Sequence, residues 1–357
     1  IANGAKCCIG DQLHPSGELD ATVYRRVGEV YGRIESVEHL CRNTEKIAEI
    51  GILSANSPLE KDSLPDEGAM RMLLELHRPF DLVDRYDGFD GYSIMILPDK
   101  IIFDDELANK INRYLENGGA VIASYRSGLD PEGRFRFDKS GVRFLGDNPF
   151  CPSYIRLEDD FRGDIEGLDY VMYERGARIE AEDGAEVLAY AGAPYFNRSY
   201  RRFCSHCQTP FEKLTDWPAI TRKDNVIYIA GAIFTDYINN GLKVCRDIVQ
   251  RSIGLLADKP TVVSELPSTA EITLRKQDNR YILHLLNYIP QRRCKSLDIV
   301  EDRIPLYDRK VKVRLPAKPA RVYTAFGAQE LAFSWEDGYA AVRVPEIDGY
   351  QIVVFEI

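Results

Sequence analysis

The sequence contains few of the features that build a disulfide-bonded domain or cross a membrane. Eight cysteines in 357 residues fall far below the density of a disulfide scaffold, and we interpret them as reduced thiols of a cytoplasmic protein. No apolar run approaches the roughly 20 residues that cross a bilayer, so no membrane partner is expected. The chain opens on Ile1 without a Met or an apolar signal region, which favours a start inside a longer polypeptide.

Basic residues are in the minority. Lys and Arg number 46 against 56 Asp and Glu, for a formal net charge of −10, and the acidic residues are spread along the chain. A diffuse negative surface repels phosphate backbones. Pairs such as Arg201-Arg202 are too short to reverse that repulsion, so nucleic acid is not an expected partner.

The usual catalytic and cofactor motifs are also missing. Neither glycine-rich phosphate loop occurs, whether G-x-G-x-x-G or G-x-x-x-x-G-K-[ST]. The turn from Ala123 to Gly128 could follow a strand as a nucleophile elbow does, but it lacks the leading glycine and a cysteine. Cys204 and Cys207 form a C-x-x-C, yet zinc would need a second ligand pair. We therefore expect no cofactor and no metal.

The first 44 residues have the pattern of one strand followed by one helix. The run from Ala5 to Gly10 is short and mostly apolar, and Asp20 can cap a helix in which apolar residues recur at helical spacing. Those apolar residues are Val23, Val27, Val30, Ile34, Val37 and Cys41. An isolated strand and helix cannot bury both their faces, so we predict that this segment is the last repeat of a larger domain.

Residues 45–257 alternate strand and helix, which predicts a parallel, doubly wound sheet. Buried strands are predicted at 47–53, 80–83, 93–97, 120–124 and 226–230. Asp104 and Gly118 mark the start and end of one intervening helix. From about residue 141 to 191 the pattern changes to shorter, antiparallel strands.

Residues 258–357 differ again. Lys259-Pro260 and Leu266-Pro267 mark a linker, and several later runs alternate apolar and polar residues with period two. We predict a small antiparallel β-sandwich of about 100 residues. His284 lies in one of the apolar runs and is expected to be a hydrogen-bonded core residue rather than a catalytic one.

Two segments carry candidate functional residues. If the first strand ends a (β/α)8 barrel, Asp11, Gln12 and His14 follow it on the rim where barrel enzymes hold substrate. They offer an anion, an amide and a titratable ring for sugar hydroxyls, although a capped surface turn would use the same residues. The second segment interleaves four cationic or titratable residues with aromatic ones, which suits a subunit interface, a sugar-facing loop or an exposed charged loop. These four are Arg198, Arg201, Arg202 and His206.

Domain order carries a resemblance to a known family more than any motif does. The order of barrel repeat, α/β domain and β-domain resembles the C-terminal two-thirds of family 42 β-galactosidases and related α-L-fucosidase-like enzymes. The matching stretches run from Gly4 to Pro15, from Ile94 to Ser124 and from His284 to Tyr288. The opening stretch is closer to the fucosidase-like group.

The resemblance implies three domains: residues 1–44 are the last strand and helix of a truncated (β/α)8 catalytic barrel, 45–257 an amidotransferase-like α/β trimerisation domain, and 258–357 a C-terminal β-sandwich. It places the catalytic carboxylates upstream of Ile1, so no catalytic residue is expected here. Carbohydrate would bind through the parent enzyme, which would be a homo-oligomer, a trimer. Two alternatives stay open: a non-catalytic carbohydrate-binding or scaffolding protein, and a free-standing amidotransferase-like α/β hydrolase.

Overall fold

A computed structural model describes residues 1–55, 63–136 and 139–357, and the chain divides into two compact units. The first unit comprises residues 1–47, 77–79 and 261–357, and the second comprises 48–76 and 80–260. The helices are α1 Ala21–Glu35, α2 Leu64–Glu75, α3 Asp105–Glu116, α4 Asp159–Arg162, α5 Ile233–Asn240 and α6 Lys243–Leu256. Within the described ranges, no helix is long and apolar enough to cross a membrane.

The strands follow in chain order. They are β1 Glu45–Ile47, β2 Ile50–Leu53, β3 Phe80–Val83, β4 Ile94–Leu97, β5 Ala120–Ser124, β6 Val142–Asp147, β7 Ser153–Leu157, β8 Tyr170–Met172, β9 Ala177–Ala181, β10 Glu186–Pro194, β11 Phe211–Lys223, β12 Val226–Ile229, β13 Val262–Ser264, β14 Ala270–Gln277, β15 Arg280–Asn287, β16 Gln291–Arg292, β17 Asp298–Ile299, β18 Leu306–Arg314, β19 Arg321–Thr324, β20 Phe333–Glu336, β21 Tyr339–Ile347 and β22 Tyr350–Glu356.

The second unit is built on a nine-stranded sheet in the order β3-β2-β4-β5-β12-β11-β10-β7-β8. The first five strands of that order are parallel, and the remaining pairs are antiparallel. Helices α2, α5 and α6 share an apolar cluster with one face of the sheet, and α3 shares a cluster with the other face. The predicted parallel sheet with helices on both faces, followed by antiparallel strands, is confirmed.

Local sequence explains where α3 begins and ends. Asp104 accepts a hydrogen bond from the backbone N–H of Leu107 at 2.9 Å, as an N-cap residue does. Leu107 and Ile111 are buried against the sheet. Gly118 has φ of 90°, a left-handed value that glycine adopts without strain and that ends the helix.

The first unit contains the predicted β-sandwich. Its sheets have the orders β1-β14-β15-β22-β19 and β13-β18-β21-β20, and the pairs are antiparallel. Residues from both sheets, such as Leu283 and Val342, share one buried cluster. The other face of the first sheet is covered by Val37 and Leu40, which pack with Ile352.

The predicted helix after Asp20 is confirmed as α1, but it ends at Glu35, so Val37 and Cys41 of the predicted stripe lie beyond it. Within α1 itself the apolar stripe is uncovered. Asp20 caps the helix by accepting from the N–H groups of Thr22 and Val23 at 2.7 and 3.1 Å. No residue of α1 is buried by the part of the chain that the structure describes. Val23 is 47% exposed and Val30 is 58% exposed, so this amphipathic helix has packing capacity that the described residues do not use.

Two predicted strands need correction. The predicted strand at 47–53 is two strands: β1 pairs with β14, and β2 lies between β3 and β4. An apolar run shows burial but not which sheet buries it. The segment from Ala5 to Gly10 forms no strand, and its residues are exposed. A strand is held by backbone hydrogen bonds to a neighbouring strand. No described segment pairs with residues 5–10, so the apolar composition of this segment is not enough to make it a strand.

Candidate functional site

The carboxyl ends of β4 and β5 are where a doubly wound sheet would bind a ligand. Asp99 is fully buried there and accepts hydrogen bonds from Ser124 Oγ and from Thr235 N and Oγ1, each at 2.7 Å. The N–H of Asp99 donates to Ser124 Oγ at 2.8 Å. Burial raises the pKa of the Asp99 carboxyl, while its donors oppose that rise. The protein's own groups therefore occupy both carboxylate oxygens.

The turn after β5 has the shape of an elbow without its chemistry. Tyr125 has φ of 48°, a left-handed value that is uncommon for a bulky residue. Its hydroxyl donates to Asp147 Oδ1 at 3.1 Å, and burial raises the hydroxyl pKa, which opposes nucleophilic use. Arg126 also binds both oxygens of Asp147, at 2.9 and 3.0 Å. Since Ser124 is fully buried, the turn presents no exposed nucleophile.

A second buried carboxylate lies on α5. Asp236 accepts from the N–H groups of Tyr173 and Glu174 at 2.9 and 3.3 Å and from Asn240 Nδ2 at 2.8 Å. Burial raises its pKa to about 6. No local sequence pattern distinguishes Asp236 or Asp99, because each is one acidic residue among 56. The position of Asp99 in the sequence was the one available indication of a site, since Asp99 comes two residues after the end of a buried strand.

The residues predicted to bind sugar lie together on an exposed loop. The carboxylate of Asp11 accepts from the N–H of Gln12 at 2.8 Å. The backbone carbonyl of His14 accepts a hydrogen bond from the N–H of Gly17 at 2.8 Å. The backbone N–H of His14 donates to the carbonyl of Glu18 at 3.3 Å. All five residues are exposed. Their side chains can therefore meet a ligand, but they are not held by packing within the described part of the chain.

The predicted interface residues lie on a second exposed segment, residues 198–208, which we call the arginine–aromatic loop. Arg198, Arg201, Arg202 and His206 are all exposed. Tyr200 is 83% exposed, and the Arg201 guanidinium lies 5.1 Å from its ring centroid. Among the residues that the structure describes, no carboxylate forms an ion pair with any of the three arginines. The loop thus presents uncompensated positive charge beside an aromatic ring.

A cavity of about 850 Å³ lies in the first unit. Its lining includes Lys6, Cys7, Glu35 and Arg275. Arg275 is buried and donates to the side chain and the carbonyl of Thr44 at 2.6 and 2.8 Å. Its guanidinium therefore holds the chain just before β1. The lining carries both signs of charge and does not favour one class of ligand.

His284 is the hydrogen-bonded core residue that its apolar surroundings predicted. It is fully buried, with Nδ1 at 2.7 Å from the Tyr350 hydroxyl. Burial lowers its pKa to about 3, so the ring is neutral at physiological pH. As for metals, the described ranges contain no group of three or more His, Cys, Asp and Glu residues that could hold an ion.

Comparisons with known proteins found matches to glycosidases and to one of their domains. The family model of the β-galactosidase trimerisation domain matches residues 70–140. The β-galactosidase BglY of Alicyclobacillus acidocaldarius is 24% identical in an alignment of 263 positions that covers 67% of this chain and 33% of that protein. The structure of α-L-fucosidase isoenzyme 2 from Paenibacillus thiaminolyticus matches with a TM-score of 0.94 and 36% identity, over 99% of this chain and 55% of that chain. A β-galactosidase from Bacillus circulans sp. alkalophilus shares the fold with a TM-score of 0.63 and 16% identity, over 95% of this chain and 46% of that chain.

These matches define the chain as glycoside hydrolase-like. More particularly, it contains a domain that is like those of family 42 β-galactosidases and α-L-fucosidases. The chain spans about half the length of the matched fucosidase and a third of BglY.

Proposed function

We propose that this chain supplies the oligomerisation and accessory domains of a glycoside hydrolase of the α-L-fucosidase-like or β-galactosidase-like kind. The observation that carries the proposal is the match to the Paenibacillus fucosidase, which covers 99% of this chain at 36% identity. In this proposal, residues 45–257 without β1 are the amidotransferase-like trimerisation domain, and 258–357 form the terminal β-sandwich, which β1 joins.

The uncovered stripe of α1 supports the proposal that residues 1–44 complete a catalytic (β/α)8 barrel. Val23 and Val30 remain about half exposed, although fully burying one such side chain stabilises a protein by roughly 1.5–3 kcal/mol. The outer helices of a barrel bury this kind of stripe against the strands. In such a barrel, Asp11, Gln12 and His14 would contribute to the rim that holds the sugar.

The arginine–aromatic loop supports self-association through the second unit. Arginine and tyrosine are enriched in the energetic centres of protein interfaces, and this loop exposes both. The chain's excess of acidic residues, 56 against 46 basic ones, supplies carboxylates that could meet these arginines across a symmetric contact. A trimer is the assembly that the matched domain's description implies.

The carboxyl ends of β4 and β5, where Asp99 and Ser124 are buried, form what we call the closed edge. This closed edge argues against a separate amidotransferase-like hydrolase. Asp99 and Ser124 bind each other in the interior, and Tyr125 uses its hydroxyl to bind Asp147. Among the residues that the structure describes, this edge therefore supplies no activated nucleophile, and the proposal assigns the chemistry to the rest of the parent enzyme.

The test is an activity assay of the full-length gene product beside this 357-residue chain. Both are offered aryl α-L-fucosides and aryl β-galactosides. We expect turnover by the full-length protein and none above background by the chain alone, because the proposal places both catalytic carboxylates outside it. Turnover by the chain at a rate comparable to the full-length protein would overturn the proposal, as would a full-length protein inactive on both classes.

A further inference from the structure

The arginine–aromatic loop is anchored at both ends. On one side Asn197 donates through Nδ2 to the carbonyl of Pro149 at 2.7 Å and accepts from the N–H of Cys151 at 3.2 Å. On the other side the carbonyl of Thr209, a buried residue, accepts from the Tyr154 hydroxyl at 2.7 Å. Most residues between the anchors are exposed. Local chemistry within the loop can therefore change its shape without disturbing the sheet beneath it.

Two free thiols of this loop share one acceptor residue. Cys204 Sγ donates to the carbonyl of Gln208 at 3.4 Å, and Cys207 Sγ donates to the side-chain Oε1 of Gln208 at 3.6 Å. Both sulfurs therefore lie within hydrogen-bonding distance of Gln208, and only two residues separate the cysteines, which is the C-x-x-C spacing of a dithiol. Cys207 is exposed and Cys204 is half-buried, so small reagents reach the first more readily.

The nearby alternatives for these sulfurs are occupied or incomplete. A zinc ion would need three or four ligands, and no such group is found in the described ranges. Cys151, a third cysteine beside the loop, donates its S–H to the carbonyl of Tyr173 at 3.5 Å. Cys207 belongs to the same loop as Cys204 and is only three positions further along the chain, so it is the cysteine nearest to Cys204 in sequence.

We infer that Cys204 and Cys207 form a reversible disulfide within the loop, by exchange with a low-molecular-weight disulfide such as oxidised glutathione. The exposed Cys207 thiolate attacks one sulfur of the small disulfide and releases one small thiol. The Cys204 thiolate then attacks Cys207 Sγ in the mixed disulfide and releases the second. Two protein thiols are oxidised while one small disulfide is reduced to two thiols, so hydrogens and electrons balance.

Oxidation changes the loop because it removes both S–H donors from Gln208. The disulfide also requires the two Cβ atoms to lie about 3.5–4.5 Å apart, which fixes the turn that follows the arginines. This modification site does not depend on the proposed function, since it concerns only the two sulfurs and their acceptor.

The experiment uses the 357-residue chain in glutathione buffers of increasing oxidised-to-reduced ratio, quenched with an alkylating reagent and digested with trypsin. Cleavage after Arg202 and Lys213 gives one peptide, residues 203–213, that contains both cysteines and no other. We expect this peptide to lose two hydrogens and take no alkyl group. In the Cys207→Ser variant, Cys204 can form only a mixed disulfide, which should need a ratio about tenfold or more higher, because the intraloop partner acts at high effective concentration.

The Cys151→Ser variant is the matched control and should leave the peptide's behaviour unchanged. Loss of the disulfide in that variant would show that Cys151 is a participant and overturn the assignment. Two alkyl groups on the peptide even in fully oxidised glutathione would overturn the proposal, and so would cross-links between chains in place of the intraloop bond.

Discussion

The closed edge at the ends of β4 and β5 and the arginine–aromatic loop both belong to the second unit, and both concentrate polar side chains. At the closed edge, Asp99 is fully buried and each of its carboxylate oxygens accepts from a donor within the same unit. On the loop, Arg201 and Arg202 are exposed and have no ion-pair partner among the described residues. The first region uses its polar groups to hold the unit together, whereas the second leaves them available to another molecule.

The energetic difference between the two regions follows from burial. Removing one partner from a buried polar network leaves the others unsatisfied, at a cost of about 1–3 kcal/mol for each group. Replacing an exposed, unpaired arginine changes stability by about 0.5 kcal/mol or less. Substitutions should therefore separate structural residues from functional ones in these two regions.

The largest expected effect is on Asp99. Asp99→Ala removes the acceptor of the Thr235 N–H and hydroxyl and leaves the Ser124 hydroxyl only the Leu97 carbonyl, at 3.5 Å. We therefore expect a loss of about 3 kcal/mol in the free energy of unfolding. Urea titration of the 357-residue chain measures it. Asp183→Ala removes an exposed carboxylate and serves as the control. Equal stabilities for the two variants would show that the closed edge is not a structural network.

Asp236 should make the second unit's stability depend on pH. Its pKa rises from 3.8 in the unfolded chain to about 6 in the folded unit, so the folded state binds the proton more tightly. The stabilising contribution is complete below pH 3.8 and is lost as pH rises through 6. Between pH 4.5 and 7.5 wild type should lose about 2 kcal/mol relative to Asp236→Asn, which cannot ionise.

Denaturant titrations of both proteins at these two pH values supply the test for Asp236. The difference between the two proteins removes the contributions of all other titrating groups. A difference that stays constant, or that grows in the opposite direction, would contradict the assignment of Asp236 as a buried carboxyl with a raised pKa.

Asp11 tests the other exposed candidate site, the loop that is predicted to bind sugar. In the full-length protein, Asp11→Ala should lower kcat/KM about tenfold, or about 1.4 kcal/mol of transition-state binding, with little change in Tm because the residue is exposed. Glu18→Ala, on the same exposed segment, is the control. Lower stability with normal kinetics in Asp11→Ala would favour the structural turn instead.

Secondary structure could be predicted from the sequence where one or two residues, or a short repeating pattern, determine it. Asp104 and Gly118 marked the ends of α3, and the period-two runs predicted the β-sandwich. The junction at residues 47–50 was not readable, because β1 and β2 belong to different sheets but share one apolar run. A paired neighbour, which decides whether the segment from Ala5 to Gly10 is a strand, is equally invisible in a local pattern.

The candidate sites show the same division. Composition alone singled out the arginines and aromatic rings of the loop at 198–208, because those residue types are typical of interfaces. The network of Asp99, Ser124 and Thr235 joins positions that are far apart in sequence, and no local pattern reveals such a meeting. Tertiary structure was needed to show which groups the polar side chains beside the turn at residues 123–128 bind.

The most direct measurement is the mass in solution of the full-length protein at tens of micromolar, by light scattering. We predict that the wild type is a trimer. The Arg201→Glu, Arg202→Glu double variant should dissociate to smaller species, while its free energy of unfolding stays within about 0.5 kcal/mol of the wild-type value. Arg292→Glu, Arg293→Glu makes the same change of net charge at another exposed adjacent pair and should remain oligomeric. A wild type that is monomeric would contradict the proposed oligomerisation role, and an oligomer unaffected by the Arg201 and Arg202 reversals would exclude the loop as its interface.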